Sequence, residues 1–513
     1  MTTKAPRRVH PGQTFNMAAY AISRAALVSP DKAALIVIGD VAAHEPAEVW
    51  TYARLERAVL AVAAGLRERD YERGSRILIR LENTSLYPIV FFGAIAAGLV
   101  PVATSAALTS GEAEFLVRDS GASAVVLAPS LPLVTIAEGV DVIGAAEVSA
   151  WTAQTHSSTY AFTRADDPAF LIYTSGTAAE PKGVLHAHRS IVGRRPMVEG
   201  WYGLTADDAV LHAGAFNWTY TLGTGLCDPW ANGATAIIYT GVKEPALWPK
   251  LIAKTGATIF AAVPGVFRQM LKYGAPGTDN LGRLRHGLIA GETPPLGLFD
   301  AWREATGLEL YEALGQSEIS TYVSSSPTVP RVRGAVGKPQ AGRRVAILPV
   351  DGGVEPVASG EEGLLAVHRS DPGLMLGYWN RPDEDKAVRR GEWFIGGDLA
   401  MMDEAGYVWH RGRADDVMKV LGYRVSPQEV EAVIAQHPDV AEVACTAVTV
   451  RNGVTVVGAF IVVREGVQPD ATAILAFAGE RLAEYKRPRQ VVFVESLPRT
   501  ANGKIKRGDL VGG

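Results

Sequence analysis

Cysteine is almost absent from this sequence, since only Cys227 and Cys445 occur among its 513 residues. The two are far apart, and neither belongs to a Cys-x-x-Cys pair or lies beside clustered histidines. This scarcity excludes a disulfide framework and gives no sign of a thiolate zinc site. It fits a reducing compartment, and we therefore expect a cytoplasmic protein.

An excess of charge of one sign is also missing. The chain has 50 basic and 54 acidic residues, a formal net charge of −4, and 48% hydrophobic content. This balance is typical of soluble globular enzymes and does not suggest a nucleic-acid partner.

Hydrophobic runs long enough to cross a membrane are lacking as well. Residues 86–103 carry no charge, but Pro88 and Pro101 leave only about a dozen uninterrupted residues, fewer than the ~20 that a spanning helix needs. We expect a buried core helix there. The basic N-terminus is not followed by an apolar segment, so no secretory signal is predicted.

Helix-like and strand-like runs alternate along much of the chain. The patterns predict a helix over residues 55–68 and strands over 76–80, 124–128, 209–212, 235–239, 258–262 and 286–290. Such alternation predicts a layered α/β fold with largely parallel strands, in which functional residues lie in loops beyond the strand ends. With 513 residues, the chain is too long for a single ordinary core.

One loop has the composition of an anion cradle. An apolar run over residues 169–173 leads into Thr174-Ser175-Gly176-Thr177-Ala178-Ala179-Glu180-Pro181-Lys182-Gly183-Val184. Glycine lets successive backbone N–H groups point at one spot, and hydroxyls and a lysine add donors for phosphate oxygens. The Gly-x-x-x-x-Gly-Lys-Ser/Thr loop of kinases and ATPases is absent.

This loop resembles the phosphate loop of the adenylate-forming superfamily of acyl-CoA synthetases, luciferases and peptide-synthetase adenylation domains. The resemblance implies that Thr174, Ser175, Gly176, Thr177 and Lys182 bind ATP. Ala178 and Ala179 stand where the family usually has a hydroxyl residue and glycine, which predicts a stiffer loop with one donor fewer. The resemblance also implies a large N-terminal layered α/β domain and a small mobile C-terminal α+β domain.

Further segments resemble motifs of the same superfamily. The segment around Gly315, Gln316, Ser317 and Glu318 resembles Tyr-Gly-x-Thr-Glu, which implies that Glu318 binds Mg²⁺ and that Ser317 holds a phosphate or acyl oxygen. Gly291 and Glu292 resemble a segment near adenine. The acid pocket implied by the resemblance comprises Phe216, Trp218, Tyr220, Ala290 and Gly291.

The C-terminal motifs complete the resemblance. Asp398 matches the aspartate that grips the ribose, although Gly396 replaces the usual threonine, and Arg413 matches an arginine on the nucleotide. Asp415 matches the hinge, so we expect domains over residues 1–413 and 414–513. Lys504 matches the catalytic lysine of the last motif. The segment of Gly422 and Tyr423 is implied to line the coenzyme A tunnel.

A helix start is predicted directly after the hinge. Ser426 and Glu429 have the spacing of a capping box, and Pro427 occupies the first helical position. Val430, Val433 and Ile434 fall on one face of the helix that follows.

The resemblance implies a ligase that uses ATP, Mg²⁺ and coenzyme A to activate a small carboxylic acid through an acyl-AMP. Similarity to the benzoate-CoA ligase and medium-chain acyl-CoA synthetase branch points to an aromatic, alicyclic or medium-chain acid. One alternative is an adenylation enzyme that loads a carrier protein, a hypothesis weakened because no carrier sequence follows Lys504. Another is a non-enzymatic relative. A lysine acetyltransferase and deacetylase acting on Lys504 are suggested partners, and a homodimer is left open.

Overall fold

The computed structural model describes most of the chain. Outside the described residues are 1–9, 11, 133–137, 155–157, 175–180, 296, 415, 417, 421–422, 451–454, 500–504 and 512–513, together with the side chains of Lys419, Tyr423, Arg424 and Val511. The N-terminal segment, for which no secretory signal is predicted, therefore lies outside the description.

The strands are β1 (Ala33–Ile38), β2 (Glu48–Thr51), β3 (Arg76–Arg80), β4 (Val100–Ala103), β5 (Ala122–Leu127), β6 (Asp141–Gly144), β7 (Pro168–Thr174), β8 (Lys182–Ala187), β9 (Ala209–His212), β10 (Thr235–Tyr239), β11 (Ile259–Ala262), β12 (His286–Ala290), β13 (Glu309–Gln316), β14 (Ser320–Ser324), β15 (Lys338–Pro339), β16 (Val345–Leu348), β17 (Glu362–His368), β18 (Gly377–Tyr378), β19 (Arg389–Arg390), β20 (Trp393–Met402), β21 (Val408–Arg413), β22 (Met418–Val420), β23 (Tyr423–Val425), β24 (Val440–Thr449), β25 (Thr455–Val463) and β26 (Gln490–Phe493).

The α-helices are α1 (Met17–Val28), α2 (Tyr52–Arg67), α3 (Leu86–Ala97), α4 (Ser110–Ser120), α5 (Ala145–Ala153), α6 (Ser190–Gly193), α7 (Thr219–Leu222), α8 (Asp228–Ala231), α9 (Trp248–Thr255), α10 (Pro264–Gln269), α11 (Leu298–Thr306), α12 (Pro382–Ala387), α13 (Pro427–Ile434) and α14 (Ala471–Arg481).

The chain forms two compact units. The large unit comprises residues 1–293, 299–344 and 368–389, and the small unit comprises residues 294–298, 345–367 and 390–513. A large layered α/β unit and a smaller α+β unit are the predicted fold class, which is confirmed. The boundary at 413/414 and the mobility of the small domain stay predictions.

The large unit contains two sheets, with strand orders β15-β14-β13-β12-β11-β9-β10-β1-β2 and β18-β8-β7-β4-β3-β5-β6. Strands β9, β11, β12 and β13 pair in parallel, as do β3, β4, β5 and β7, and this confirms the predicted parallel character. One core cluster takes side chains from α1, α2, α3 and both sheets. These helices therefore hold the two sheets together.

The uncharged run at residues 86–103 divides into two elements. Helix α3 is buried nearly all round, and it ends at Gly98, which adopts the left-handed conformation with φ of 84°. Residues from Val100 onwards form β4, so the prediction of a core helix is right for α3 and wrong for the last residues. Phe91 and Phe92 are fully buried, and truncating either to alanine should cost about 3–5 kcal/mol of stability. No helix among the described residues has both the length and the apolarity to cross a bilayer.

The small unit contains a sheet in the order β16-β17-β20-β19 with β21 on β20, a β22–β23 hairpin, and a sheet in the order β24-β25-β26. Helices α13 and α14 bury Val430, Ile434 and Ile474 against the last of these sheets. Pro427 begins α13 as predicted, but the capping box is wrong. The Ser426 hydroxyl donates to the Arg411 carbonyl at 2.7 Å, and Glu429 pairs with Lys486 at 2.5 Å.

Candidate active site

Three of the predicted segments follow parallel strands of one sheet. Strands β9, β11, β12 and β13 end at His212, Ala262, Ala290 and Gln316, and they lie side by side in the order β13-β12-β11-β9. Because the carboxyl ends of parallel strands meet at one edge of a sheet, the loops beyond them come together. This edge carries the residues predicted for the acid and for adenine.

An aromatic wall stands at this edge. Gly291 has φ of 102°, and a Cβ placed there would lie 2.7 Å from Cη2 of Trp218. Only glycine lets the indole lie so close to the backbone. The Trp218 ring meets Tyr220 edge-on at 5.7 Å, and Ala290 belongs to the same buried cluster. Trp218, Tyr220, Ala290 and Gly291 are thus brought together.

Phe216 lies elsewhere. Its ring centroid is 5.6 Å from that of Tyr87, and it belongs to the core cluster that joins the two sheets. Its backbone N–H donates to Asn83 Oδ1 at 3.0 Å. These contacts give Phe216 a role in the core, and its place in the acid pocket stays a prediction.

His212 is a residue of this edge to which the sequence assigned no role. Its ring lies 4.5 Å from the Tyr220 ring, and Nδ1 accepts a hydrogen bond from the Gly214 N–H at 2.9 Å. Burial, and then the charge of Lys243, lowers the pKa of His212 to about 3. The imidazole is therefore neutral at physiological pH and brings no cation to the aromatic wall. The sequence did hold a signal for His212, because a histidine at the end of an apolar strand is a candidate site residue.

Gly291 and Glu292 lie just beyond β12. The Glu292 Oε1 atom accepts from the Gly265 N–H at 3.3 Å and so links the start of α10 to this loop. Glu312 lies beside them on β13, paired in register with Ile289. Burial raises the pKa of Glu312 to about 8, and the charge of Arg331 opposes the shift. This half-buried acid was also given no role from the sequence.

The predicted Mg²⁺ ligand sits in the turn after β13. A Cβ at Gly315 would lie 2.4 Å from the Ser320 carbonyl oxygen, so the hairpin of β13 and β14 requires glycine there. The turn presents Gln316, Ser317 and Glu318. The Tyr378 hydroxyl donates to Glu318 Oε1 at 2.7 Å, and the Met375 N–H donates to the Glu318 carbonyl, also at 2.7 Å.

The described part of the phosphate loop is its two ends. Thr174 at the end of β7 and Lys182 at the start of β8 are cross-strand partners. The Lys182 ammonium forms an ion pair with Glu384 and lies 5.7 Å from the centre of the Tyr378 ring. Ser175, Gly176 and Thr177 lie outside the described residues, as do Ala178 and Ala179.

The donors near Glu318 suit a hydrated Mg²⁺ ion. Mg²⁺ commonly binds one or two carboxylates and completes its octahedron with waters and substrate phosphates. Glu318 supplies one such carboxylate, in a conformation set by Tyr378. The described residues contain no cluster of three or more histidine, cysteine or acidic side chains suited to a metal. The donor set therefore fits a Mg²⁺ ion carried with a nucleotide.

The small unit holds a second charged cluster. Asp398 on β20 is 5% exposed, lies 3.2 Å from His410 Nε2, and is paired in register with Arg413 on β21. Arg413 donates to the Gly396 carbonyl at 2.5 Å. A Cβ at Gly397 would lie 3.0 Å from the Arg413 guanidinium, so glycine at 397 gives this side chain its room. Asp398 and Arg413 are thus brought together. The sequence analysis did not predict His410 as a part of this cluster.

Asp415, Gly422 and Lys504 lie outside the described residues, as does the side chain of Tyr423. The ends of the segment that carries Lys504 are described. Arg499 and Ile505 form an isolated antiparallel bridge, and Arg507 donates to both carboxylate oxygens of Glu431 at 2.9 and 2.8 Å. The roles assigned to these residues stay predictions.

Comparison with known proteins agrees with this geometry. Residues 22–379 match the model of the AMP-binding enzyme family, and residues 429–504 match the model of its C-terminal domain. The benzoate–CoA ligase of Thauera aromatica is 32% identical over 88% of this chain and 87% of that protein.

Two solved structures are similar over nearly the whole chain. The ATP-bound MatB of Rhodopseudomonas palustris has a TM-score of 0.88 and 25% identity, covering 98% of this chain and 99% of its own. A benzoate CoA ligase from Burkholderia xenovorans LB400 has a TM-score of 0.84 and 29% identity, covering 97% and 99%. The family resemblance of the sequence motifs is confirmed, and the chain belongs to the AMP-binding enzyme family.

Proposed function

We propose that the protein is an AMP-forming acid–CoA ligase that acts on a small aromatic carboxylic acid, in the cytoplasm. The observation that carries this proposal is the wall formed by Trp218 and Tyr220 on Gly291. Aromatic rings prefer offset or edge-on contacts of this kind. Benzoate–CoA ligases among the similar proteins favour the same class of acid.

The charge state of the wall supports a monocarboxylic acid. Trp218, Tyr220, Ala290 and Gly291 are uncharged, and the low pKa of His212 keeps its ring neutral. The nearby Lys243 ammonium donates to the Ala213 carbonyl at 2.8 Å. A second carboxylate buried against Trp218, Tyr220 and Gly291 would find no cation among these wall residues, and burying an unpaired ion costs several kcal/mol.

In the first step a carboxylate oxygen of the acid bonds to the α-phosphorus of ATP, and the bond to pyrophosphate breaks. The nucleophile is already ionised, so no general base is required. Catalysis then depends on positioning and on neutralising the phosphate charge. Lys182 would exchange Glu384 for a phosphate oxygen, and Glu318 would hold Mg²⁺, which supplies positive charge to the phosphates when bound.

Roles in nucleotide binding are proposed for each unit separately. In the large unit, Gly291, Glu292, Gly315 and Gln316 line the adenine and phosphate side, and Ser317 holds a phosphate or acyl oxygen. In the small unit, the Asp398 carboxylate accepts hydrogen bonds from both ribose hydroxyls, and Arg413 contacts the nucleotide. His410 fixes the orientation of Asp398.

In the second step the thiol of coenzyme A loses its proton to solvent and its sulfur attacks the acyl carbon. The bond from that carbon to the phosphate oxygen breaks, and AMP leaves. We assign Lys504 to the first step and the Gly422–Tyr423 segment to the second, with Asp415 as the hinge. Lys504→Ala should then cripple pyrophosphate release but leave thioester formation from supplied acyl-AMP largely intact. Equal loss of both steps would reject this division.

The substrate class is tested by AMP and pyrophosphate release from Mg-ATP with benzoate, cyclohexane-type, medium-chain and short acids, each with and without coenzyme A. We expect AMP release that rises strongly with coenzyme A, and most for an aromatic acid. Pyrophosphate release that coenzyme A does not stimulate would instead indicate a carrier-protein thiol. If neither AMP nor pyrophosphate is released with any acid, the protein is not a ligase for these acids.

Regulation by acetylation of Lys504 is a further part of the proposal. Neutralising this ammonium removes the charge that the first step needs. After treatment with a lysine acetyltransferase, mass spectrometry should find the acetyl group on Lys504, and a deacetylase should restore activity. Modification only at other lysines would reject it.

A further inference from the structure

His186 lies on β8, the strand that begins at Lys182 and pairs directly with β7. Its side chain is 3% exposed, and its ring stacks on Phe170 with centroids 4.6 Å apart and planes 13° apart. Phe170 and His186 are cross-strand partners in the β7–β8 pair. The stacking and the strand pairing together fix the plane in which the imidazole lies.

Among the described residues this imidazole makes one hydrogen bond, which goes to the turn after β13. His186 Nε2 lies 2.8 Å from the carbonyl oxygen of Ser317. A carbonyl only accepts hydrogen bonds, so Nε2 carries the proton, and Nδ1 has no partner among the described residues. Burial lowers the pKa of His186 to about 4, and Arg189 and Arg194 act in the same direction. The ring is therefore a neutral donor at physiological pH.

The same strand reaches Glu318 by a second route. Tyr378, whose hydroxyl donates to Glu318 Oε1, is the cross-strand partner of Val184 on β8. Glu318 directly follows the Ser317 carbonyl that His186 binds. Strand β8, which begins with Lys182, thus contacts the Ser317–Glu318 turn in two ways. Its own His186 binds the Ser317 carbonyl, and Tyr378 on the paired strand β18 binds the Glu318 carboxylate.

We propose that His186 is a positioning residue, which holds the Ser317–Glu318 turn in register with Lys182 so that metal and phosphates are bound together. This inference rests on the proposed function of Glu318. Loss of the Nε2 donor leaves the Ser317 carbonyl without its partner, and the turn relaxes. We expect the affinity for a metal–nucleotide complex to fall about tenfold.

His188 supplies a matched control two residues away. It is also fully buried, and burial lowers its pKa to about 4 as well. Its Nδ1 accepts from the Met17 N–H at 3.1 Å, at the start of α1, and not from the turn at Ser317. A histidine whose only role is to fill the core should behave like His188 when it is replaced.

The experiment compares His186→Leu, His186→Gln and His188→Leu with the wild type. The probe is Mn²⁺ with α,β-methylene-ATP, a nucleotide that cannot release pyrophosphate, and binding is followed by electron paramagnetic resonance. Thermal unfolding is measured on the same samples. His186→Leu should weaken Mn²⁺–nucleotide binding about tenfold, and His186→Gln should restore most of it because the glutamine amide reaches the position of Nε2. His188→Leu should lower the melting temperature but leave this affinity unchanged.

Equal affinities for His186→Leu and the wild type, or equal losses in the two leucine variants, would overturn the inference. If His186→Leu does not fold, His186→Asn replaces it, because the shorter amide does not reach Ser317. Binding should then be weak for asparagine and strong for glutamine, and equal binding of the two would overturn the proposal. The binding readout needs no acid substrate, so failure of the wild type to release pyrophosphate with any acid counts against the proposed function alone.

Discussion

The two charged clusters of this molecule are built in different ways. In the small unit, Asp398 and His410 are 12 residues apart and lie on adjacent paired strands. In the large unit, Glu318 takes its hydrogen bond from Tyr378, 60 residues further on, and Lys182 takes its ion pair from α12. The Asp398 cluster is therefore local, whereas the cluster of Glu318 and Lys182 depends on strand pairing across the large unit.

This difference predicts which substitutions affect nucleotide binding and which affect the chemical step. A local hairpin preserves its own geometry, so changes at Asp398 should affect mainly the binding of the ribose. The Glu318 turn is held from several elements, and in the proposed mechanism its carboxylate holds the cation that binds the phosphates. Changes there should affect the chemical step itself.

The largest effect is expected for Glu318→Gln, which keeps the size of the side chain and removes its charge. Pyrophosphate release should fall by about 10²–10³-fold in kcat, the range known for loss of one electrostatic contributor to a transition state. Initial rates at saturating Mg-ATP and acid measure this. An unchanged melting temperature serves as the control, and a loss below about threefold would contradict the assignment of Glu318.

Asp398→Asn should have a smaller effect, and one of a different kind. A hydrogen bond to a charged group contributes about 1.5–3 kcal/mol, so the KM for ATP should rise roughly 10- to 100-fold, while kcat changes little. Steady-state kinetics over a range of ATP concentrations separate the two parameters. A kcat defect as large as that of Glu318→Gln would break the distinction drawn between the clusters.

Gly291→Ala tests the contact between two distant segments of the large unit. The new Cβ would lie 2.7 Å from the Trp218 ring at a residue with φ of 102°, so the indole must move. The KM for an aromatic acid should rise about tenfold, and more than the KM for acetate, which has no ring to lose contact with Trp218. Equal changes for both acids would remove Trp218 from the acid pocket.

The last prediction concerns stability at acid pH and not activity, and it applies to the large unit. His186, His188, His212 and His286 are all buried in the large unit, and burial lowers the pKa of each to about 4, 4, 3 and 4. The unfolded chain binds protons at these residues near pH 6.5, before the folded chain does. The large unit should therefore keep this stability above pH 6.5 and lose it progressively as the pH falls towards 4.

His188→Asn sharpens this prediction, because asparagine keeps the acceptor for the Met17 N–H and does not titrate. The melting temperature of the variant should fall less than that of the wild type between pH 7 and pH 5. Glu312, whose pKa is raised to about 8 by burial, acts in the opposite direction. Identical slopes for wild type and variant would show that His188 is not linked to folding.

The sequence predicted correctly those elements that depend only on the residues within them. The strands 76–80, 209–212, 235–239 and 286–290 have the predicted bounds, because each is a short apolar run. The capping box of α13 was predicted wrongly. The Ser426 hydroxyl finds a carbonyl on β21, and Glu429 finds Lys486, which are contacts made only in the folded unit.

The candidate site shows the same limit. Its charged residues were predicted from motifs, and the structure brings Asp398 to Arg413 and Trp218 to Gly291. The partners Tyr378, Glu384 and His186 were missed, because they reach the site through tertiary contacts. These are the pairing of β18 with β8, the ion pair from α12 to Lys182, and the hydrogen bond from β8 to the turn after β13. The roles of Lys504 and Asp415 stay predictions.

The central claim is that the acid is activated through an acyl-AMP, and isotope transfer tests it most directly. Benzoate labelled with ¹⁸O in both carboxylate positions is turned over with Mg-ATP and coenzyme A, and AMP is analysed by mass spectrometry. Since the attacking carboxylate oxygen stays on phosphorus when the thiol displaces AMP, each AMP should carry one ¹⁸O atom. Unlabelled AMP, or release of ADP and phosphate in its place, would contradict the account.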